Sequence, residues 1–489
     1  MKRSEPEQAE AHLDYEIVIG IEVHVQLKTA SKMFCSCPNK FGSKPNTHIC
    51  PVCSGLLGTL PIINRKAVDF AILLGLSTNC RLAKVCEFAR KHYMYPDLPK
   101  NFQITQDDKP ICLGGNIEID LEDGTKKQIW LERIHMEEDA GKNIHFAGGE
   151  TLVDLNRAGT PLLEIVSKPN ISSSAEARSY LTRLRSIVQY IGISDANMEE
   201  GSFRADINIS VRKKGETELG TRTELKNVNS FRYIVQAIEY EALRQINIIE
   251  QGEKVVQATL LWNSKEHKTV FMRSKEEAHD YRYFPEPDLP ILIIDDTWIE
   301  RIREKIPELP EQKFRRFQDE FGLSAYEANI LTAQRSLAEY FEKAATLCKA
   351  PKVAANWILR DLLAYMNESK VGFKELKITP EMLAEFVVLL EKGVINSKVA
   401  QDVFLEMTKT GEYPSIIVQE KGLEQIDSKD KLEFVAREII EANPEQVAAY
   451  RGGKDRLFAF FVGQSMKATK GRANPKVLQE ILKKLLNTQ

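Results

Sequence analysis

Apolar and polar residues alternate over residues 17–27, close to the start of the chain. Every second position from Ile17 to Leu27 is apolar, and Glu22, His24 and Gln26 lie between them. Successive side chains of a β-strand point to opposite faces, so the pattern predicts a strand with one apolar and one polar face. The polar face carries a carboxylate and an imidazole. For this strand alone, polar side chains that merely meet water are the simpler interpretation.

Two later segments alternate in the same way. Their predicted polar faces carry acids, amides and arginines: Arg204, Asp206, Asn208, Ser210 and Arg212 in residues 204–212, and Arg222, Glu224 and Lys226 in residues 221–227. An outward sheet face usually favours Thr, Lys and Glu, whereas this mixture is suited to a hydrated magnesium ion and its phosphates. With Glu22, His24, Glu137 and Glu138, these faces predict a metal and phosphate site in preference to a solvated sheet.

Helical periodicity replaces alternation in the second half of the chain. One helix is predicted earlier, where Ser173 and Glu176 have the spacing of a capping box. Beyond Trp298, strand patterns largely disappear. The chain is therefore predicted to be α+β, with a mixed-sheet domain over residues 1–297, an all-α helical domain over 298–410 and a helical tail domain over 411–489.

Composition and charge limit the classes of protein to consider. Of the 489 residues, 43% are hydrophobic and 28% charged, which is typical of a globular protein with more than one domain. No run approaches the roughly 18 apolar residues that span a bilayer. The polar, acidic residues 1–16 argue against a secretory signal or mitochondrial transit peptide. We therefore expect a cytoplasmic protein with no membrane partner and with reduced cysteines.

Four of the eight cysteines form two close pairs. Cys35 and Cys37 form a C-x-C pair, Cys50 and Cys53 form a C-x-x-C pair, and a turn-rich loop lies between them. Four thiolates on two short knuckles suit tetrahedral zinc, so these cysteines are the predicted ligands. His48 lies close enough in sequence to replace one of them. The alternative is four ordinary buried cysteines.

Residues 89–100 mix arginine, lysine, histidine and tyrosine ahead of a proline-bounded turn. Lys91, Tyr93 and their neighbours would suit a phosphate together with a base or ribose. An exposed basic loop with packing tyrosines explains the segment equally well. Glu137 and Glu138 precede a Gly-Lys pair, but the first glycine of a phosphate loop is missing there. If the chain uses ATP, it binds ATP outside the familiar glycine-rich loops.

The end of the chain is basic. Residues 447–489 contain nine Lys/Arg and two Asp/Glu, a net charge of +7 that leaves −10 on the rest of the chain. Glycines among these cations allow backbone and cation to approach a phosphate chain, so we interpret the tail as a nucleic-acid contact. A solvated basic surface is the alternative.

Together these segments resemble the B subunits of the tRNA-dependent amidotransferases that make Gln-tRNA(Gln) and Asn-tRNA(Asn) in many bacteria. The resemblance covers nearly the whole chain and is densest over residues 17–290. Motifs of this length, in this order, are highly specific. They are GIEVHVQL at 20–27, PVCSGLLGTLP at 51–61, ARKHYMYPDLPKNFQITQ at 89–106, HMEEDAGK at 135–142, DLNRAGTPLLEIVSKP at 154–169, ANMEEGSFRADINISVR at 196–212, LGTRTELKNVNSFR at 219–232 and DYRYFPEPDLP at 280–290.

The resemblance implies a cradle-shaped, kinase-like N-terminal domain, a helical domain and a mobile tail that touches tRNA. Enzymes of this family are ligases that form a C–N bond with glutamine as amido donor. They use ATP to phosphorylate the side-chain carboxylate of Glu or Asp misattached to tRNA, and ammonia then displaces the phosphate. The implied residues are Glu138, Glu137 and Lys91 for catalysis, Tyr93, Arg204 and Asn208 for the cofactor, and Glu22, His24, Glu138, Asp206 and Glu224 for Mg²⁺.

The resemblance also implies partners. The chain has no Ser-rich run of the amidase type, and an amidase-like A subunit and a small C subunit of a heterotrimer fit that gap. The four cysteines match a zinc-knuckle form that some members lack. For His24, orienting a carboxylate is nearly as good an interpretation as direct metal ligation.

A different function class stays open at this point. A non-catalytic tRNA-binding scaffold would keep the basic tail and a structural zinc knuckle, but it would not need acids on several strand faces. The sequence does not decide between Glu-tRNA(Gln) and Asp-tRNA(Asn) as substrates, nor does it show the path of ammonia.

Overall fold

The computed structural model describes residues 14–146, 148–274, 281–373, 375–426 and 428–487. The chain divides into two compact units, residues 1–310 and 311–489. The first unit is organised by a mixed β-sheet and the second consists of helices. Each unit is described by itself.

The first unit is built on a 13-stranded sheet. Its main path runs through β15 (Lys268–Ser274), β14 (Ala258–Asn263), β13 (Thr223–Lys226), β12 (Phe203–Lys213), β1 (Tyr15–Gln26), β11 (Pro161–Ser167), β8 (Lys126–Glu138), β5 (Phe102–Thr105), β4 (Ala89–His92) and β16 (Phe284–Pro285). Along this path neighbouring strands are antiparallel, except that β13 and β14 run parallel. The sheet is therefore mixed, and β1 lies in its interior.

Shorter strands complete the first unit. β2 (Arg81–Leu82) pairs with β6 (Cys112–Leu113), and both β6 and β7 (Asn116–Asp120) pair with β8. Two separate ribbons join β9 (Lys142–His145) to β10 (Thr151–Asp154) and β3 (Val85–Cys86) to β17 (Leu292–Ile293). The long strand β8 therefore pairs with β6 and β7 in addition to its two neighbours on the main path.

The register of β1 brings charged residues of different strands together. Glu22 lies opposite Asp206 of β12, while His24 lies opposite Arg204 of β12 and Glu164 of β11. Strand alternation places these side chains on one face and the apolar residues of β1 on the other. Register therefore decides which polar groups become neighbours.

Helices supply the other side of the core. The apolar residues of β1 share one buried cluster with residues of α1 (Arg65–Ser77), α2 (Ser174–Tyr190) and α3 (Phe231–Glu250). The predicted start of α2 is confirmed: Ser173 Oγ accepts a hydrogen bond from the Glu176 backbone N–H at 3.1 Å. The Glu176 carboxylate instead accepts from the backbone N–H of Ser172, at 2.7 Å. A short helix, α4 (Asp296–Arg303), follows the sheet.

The rest of the chain is helical among the described residues. Its α-helices are α5 (Pro310–Phe321), α6 (Ala325–Thr332), α7 (Arg335–Cys348), α8 (Pro351–Trp357), α9 (Leu363–Ser369), α10 (Pro380–Glu391), α11 (Ser397–Thr410), α12 (Pro414–Glu420), α13 (Lys429–Glu441), α14 (Pro444–Arg451), α15 (Leu457–Ala468) and α16 (Pro475–Asn487). A π-helical turn at Ile358–Leu362 lies between α8 and α9.

The last four helices share one small core. Leu432 and Ala436 of α13 pack in the same buried cluster as Phe461 of α15 and Leu478 and Leu482 of α16. The basic segment 447–489 is thus part of a packed bundle that already begins with α13. Removing the segment alone would expose the apolar face of α13, so substitutions of surface charges are the better test of its role.

The predicted α+β class is confirmed, and the strands predicted at 17–27, 204–212 and 221–227 are β1, β12 and β13. The domain limits at 297 and 410 and the kinase-like cradle stay predictions. No helix among the described residues is both long enough and apolar enough to cross a membrane. Residues 1–13, on which the prediction of no targeting segment mainly depends, and Asp280 of the 280–290 motif lie outside the described residues.

Candidate active site

Three side chains from neighbouring strands meet on the polar face of the sheet. His24 Nε2 lies 3.3 Å from Glu164 Oε2 and 3.7 Å from Glu137 Oε1. One potential ligand atom of each residue lies within 4.8 Å of the other two. His135 Nε2 is 3.5 Å from Glu164 Oε2 and 3.7 Å from Glu137 Oε2. We call His24, Glu137 and Glu164 the His24 group; its imidazole and two carboxylates could hold a divalent cation.

The electrostatics of the His24 group are strongly coupled. Burial would lower the pKa of His24, but the hydrogen bond and charge of Glu164 and the charge of Glu137 outweigh it and raise the pKa. For Glu164 the directions are reversed. Burial would raise its pKa, but the charges of His135, His24 and Lys91 and the hydrogen bond from His24 outweigh burial and lower the pKa well below its ordinary range. The carboxylate of Glu164 is therefore ionised at neutral pH, as a metal ligand must be.

A second set of acids lies beside the His24 group. Lys226 Nζ is 2.6 Å from Asp206 Oδ2 and 3.1 Å from Glu224 Oε1, and Asn208 Nδ2 donates to Glu22 Oε1 at 3.0 Å. We call Glu22, Asp206 and Glu224 the Asp206 group. Burial and the neighbouring carboxylates raise the pKa of Glu22. Lys226 thus bridges two of the three acids, and Asn208 donates to the third.

Arginines and a buried acid stand next to these groups. Asp139, which directly follows β8, is only 5% exposed. Its Oδ2 accepts hydrogen bonds from Gln26 Nε2 at 2.7 Å and Arg204 Nη2 at 2.9 Å, and Arg157 Nε lies 3.7 Å away. Burial would raise the pKa of Asp139, but the charges of Arg204 and Arg157 outweigh it and lower the pKa. Asp139 thus holds the guanidinium groups of Arg204 and Arg157 at the edge of the site.

The His24 group opens into a cavity of about 500 Å³. Lys91, Tyr93 and Arg204 line it, as do Glu137 and Asp206, so four of the predicted catalytic and cofactor residues share one space. Burial would lower the pKa of Lys91, but the charge of Glu137 outweighs it and raises the pKa, so the ammonium persists at neutral pH. Burial raises the pKa of Tyr93 to about 12, so its phenol stays protonated. The cavity offers fixed cations and a hydrogen-bond donor to an anionic ligand.

Asp139→Asn is expected to lower the free energy of unfolding at pH 7 by about 2–3 kcal/mol, because two arginines lose their counter-charge. The pKa of Asp139 in the folded chain lies below its ordinary value of 3.8, so its contribution is present above that value and is lost as the pH falls through the folded pKa. The stability difference between wild type and variant should narrow progressively below about pH 4. Urea unfolding over a pH series measures it.

Asp108→Asn, at an exposed position, is the control and should leave stability nearly unchanged. A difference between wild type and Asp139→Asn that stays constant in acid would contradict the electrostatic explanation.

The structure does not bring Glu138 into either group. Glu137 and Glu138 are consecutive in β8 and point to opposite faces of the sheet. Glu138 pairs with Lys100, accepts from the Ile104 backbone N–H at 3.0 Å, and lines a separate cavity of about 280 Å³. The predicted magnesium set Glu22, His24, Glu138, Asp206 and Glu224 is thus divided among three places. Alternation sends Glu138 to the other face, and strand register sets Glu22 opposite Asp206 but His24 opposite Glu164. A role for Glu138 in catalysis stays a prediction.

The four paired cysteines do come together. The sulfurs of Cys35, Cys37, Cys50 and Cys53 all lie within 4.8 Å of one another. A hydrogen bond from Cys35, then the Cys50 backbone and the charge of Lys32, lower the pKa of Cys53 to about 4, against the effect of burial. Lys32 is fully buried, with its Nζ 3.6 Å from Cys53 Sγ. A buried cation beside four sulfurs fits a thiolate cluster that holds a metal. His48 is not part of this group.

Sequence reasoning missed four residues of the site: Glu164, His135, Asp139 and Arg157. Glu164 is the one charged residue within the apolar strand β11, and that isolation was a signal. His135 and Glu137 share the alternation of β8, which was also visible. Neither signal indicates the partner of a side chain, because pairing between distant strands sets the partners.

Comparison with known proteins identifies the family of the chain. A family model described as the GatB/GatE catalytic domain matches residues 17–300, and a second described as a GatB domain matches residues 339–486. Two relatives are named as the B subunit of aspartyl/glutamyl-tRNA(Asn/Gln) amidotransferase. The one from Thermodesulfovibrio yellowstonii is 51% identical, and the one from Geotalea daltonii is 52% identical. Each alignment covers 97% of this chain and 100% of the relative. A family model over more than half of the chain and relatives this similar show the family. This chain belongs to the GatB/GatE family.

Proposed function

We propose that the chain is the subunit of a tRNA amidotransferase that activates Glu or Asp misattached to tRNA(Gln) or tRNA(Asn). In this proposal ATP phosphorylates the side-chain carboxylate, and ammonia from a glutaminase partner then displaces the phosphate to give the amide. The observation that carries the proposal is the His24 group, with Lys91 and Arg204 in the same cavity. The names of the relatives support the substrate class.

The chemistry demands this kind of site. A free carboxylate is a poor electrophile, and an acyl phosphate gives ammonia a good leaving group. Phosphoryl transfer needs alignment and neutralisation of charge more than covalent help from the protein. Fixed cations in a partly buried cavity supply both, because they need not reorganise as negative charge develops.

In this proposal the His24 group and the Asp206 group would each hold a Mg²⁺ ion, which would neutralise phosphate oxygens. Both groups fit it through their carboxylates, and His24 either ligates directly or orients Glu164. Lys91 and Arg204 bind phosphate oxygens, and Tyr93 donates its phenolic proton within the cavity. Asn208 orients Glu22 through their 3.0 Å hydrogen bond. Zn²⁺ at the four cysteines has a structural role.

The glutaminase activity is proposed to belong to another chain. An amidase-like A subunit and a small C subunit would complete a heterotrimer, with misacylated tRNA as the shared substrate. The alternative, a tRNA-binding scaffold without chemistry, leaves the buried Glu137 and the half-buried acids around it without a purpose. Burying carboxylates that repel one another costs stability unless a cation or a reaction requires them.

The deciding experiment measures ATP consumption by the assembled complex with correctly charged and with misacylated tRNA. The proposal expects ATP consumption that depends on Glu-tRNA(Gln) or Asp-tRNA(Asn) and is negligible with Gln-tRNA(Gln). Assaying both misacylated tRNAs identifies the substrate. Tight tRNA binding with no such dependence would favour the scaffold.

For the basic bundle at the chain end, we expect replacement of the exposed Lys454, Arg456, Lys467 and Lys470 by alanine to raise the KM for tRNA about tenfold at physiological salt. Each lost phosphate contact should also reduce the slope of log KM against log salt by about 0.7–0.9. Steady-state kinetics over a salt series measures both. Lys265→Ala, exposed in the first unit, is the control. An unchanged KM and slope would show that the bundle does not touch tRNA.

A further inference from the structure

A buried glutamate lies behind the sheet, away from the two acid groups. Glu241, in α3, has no exposed surface. Its Oε1 accepts from Thr223 Oγ1 at 2.8 Å, Arg244 Nη2 at 2.7 Å and Gln245 Nε2 at 3.0 Å. Its Oε2 accepts from Arg244 Nε at 2.8 Å and Thr269 Oγ1 at 3.3 Å. One carboxylate therefore collects five hydrogen bonds.

These bonds join one helix to three strands. Thr223 belongs to β13 and Thr269 to β15, while Gln245 Nε2 also reaches the Ile209 carbonyl of β12 at 3.2 Å and Thr223 Oγ1 at 2.9 Å. β12 and β13 are the strands that carry Asp206 and Glu224. The network thus contacts β12 and β13 on the face of the sheet opposite to the one that carries the proposed metal site.

Strand β13 has particular need of such an attachment. It has only four residues, Thr223–Lys226, and it runs antiparallel to one neighbour and parallel to the other. Thr223 points back to Glu241, and the next residue, Glu224, points forward and accepts from Thr259 Oγ1 at 2.8 Å. A shift of Thr223 along or across the sheet therefore moves Glu224 directly.

A purely structural role would not require a carboxylate here. An ionised acid taken out of water is costly unless every lone pair is satisfied, and apolar residues of the same volume often stabilise such a position as well. Hydrogen bonds depend on direction, which apolar contacts do not. The network therefore fixes the position of β13 relative to α3, both along the strand and in its distance from the helix. That precision matters where a ligand set must be held to within a fraction of an ångström.

We propose that Glu241, acting through Thr223 and supported by Arg244 and Gln245, is a positioning residue that sets the placement of Glu224 in the Asp206 group. This inference rests on the proposed function, because it assumes that the Asp206 group binds a divalent cation. It extends that function to a network on the opposite face of the sheet, which touches neither substrate nor cation.

The test uses the full-length chain and Mn²⁺ as the probe, with binding followed by electron paramagnetic resonance. The Glu164→Gln background removes a ligand of the His24 group, so the titration reports on the Asp206 group. Thr223→Val, which replaces the hydroxyl with a methyl group of similar size, is expected to raise the Kd for Mn²⁺ about tenfold, and Glu241→Gln at least as much. Thr223→Ser keeps the hydroxyl and should stay within about twofold of the background.

Two controls separate positioning from general stability. Ile238→Val in α3, fully buried but apolar, lowers stability and should leave the Kd unchanged. In the assembled complex with Glu164 intact, Thr223→Val should raise the Mg²⁺ concentration needed for half-maximal ATP consumption and leave the KM for tRNA unaltered.

The outcomes distinguish the inference from its premise. If the background chain binds Mn²⁺ and Thr223→Val binds it equally well while unfolding at a lower temperature, Glu241 is only structural and the inference is overturned. If the background chain does not bind Mn²⁺, the Asp206 group is not a cation site and the inference fails with that premise. If the wild type does not bind Mn²⁺ either, the proposed metal site at the His24 group fails as well. Weaker binding in Thr223→Val together with retention in Thr223→Ser supports it.

Discussion

Replacing Glu164 with glutamine is expected to reduce the kcat of misacyl-tRNA-dependent ATP consumption by about 10²–10³-fold, the loss seen when one fixed electrostatic contact to a transition state is removed. Glu164 lies between two imidazoles, 3.3 Å from His24 Nε2 and 3.5 Å from His135 Nε2. Glutamine keeps the shape and one oxygen acceptor, so the fold is preserved. The negative charge that holds His24, and that would hold a cation in the proposed mechanism, is lost. Single-turnover assays of the assembled complex measure this rate.

Glu137→Gln should have a comparable effect, because Glu137 contributes the second carboxylate of the same group. Glu132→Gln is the matched control: it lies on the same strand as Glu137, and its side chain is 57% exposed. Near-normal rates in both Glu164→Gln and Glu137→Gln would exclude the His24 group from the reaction. Loss of rate in the control would point to damage of β8 rather than to lost chemistry.

Replacing Cys53 with serine is expected to abolish metal binding at the four cysteines. The wild-type chain should contain about one zinc ion, since four ligands make one tetrahedral site, and the variant should contain almost none after dialysis against a chelator. Because zinc binding and local folding are coupled, the loop between the two pairs should also become sensitive to protease. Elemental analysis and limited proteolysis measure the two effects.

Cys86→Ser is the appropriate control, since Cys86 is fully buried in the same unit but lies outside the four-cysteine group. It should keep the metal. Absence of zinc from the wild type, together with failure to take up cobalt, would leave Cys35, Cys37, Cys50 and Cys53 as ordinary structural thiols. The buried Lys32 would then lack the anionic partner that its position calls for.

Local pattern accounts for much of what was predicted correctly. Strand β1 follows from the alternation between Ile17 and Leu27, and the start of α2 follows from Ser173 and its bond to the Glu176 backbone. The cysteine group follows from two short spacings, which hold sulfurs close whatever the surrounding fold. Each of these features depends on residues near one another in the chain.

Glu138 shows where that reasoning stops. Glu138 was grouped with Glu137 because the two acids are neighbours in the sequence. Neighbouring residues of a strand, however, point to opposite faces of the sheet. Recognising β8 as a strand, from the alternation of Ile134 and Met136 with His135 and Glu137, would have separated them. Glu164 was missed for the opposite reason, since its chain neighbours are apolar and its functional neighbours come from β1 and β8.

By itself, the sequence determined the strands and helices with strong periodicity, the cysteine knuckles, the basic end and, through its motifs, the family. The tertiary structure alone decided that the acids form two groups and that Glu164 completes one of them. It also decided that Asp139 holds two arginines beside the site and that Glu241 attaches β13 from behind. The physical reason is that a side chain's face is set by local backbone geometry, whereas its neighbours are set by the register between strands far apart in the chain.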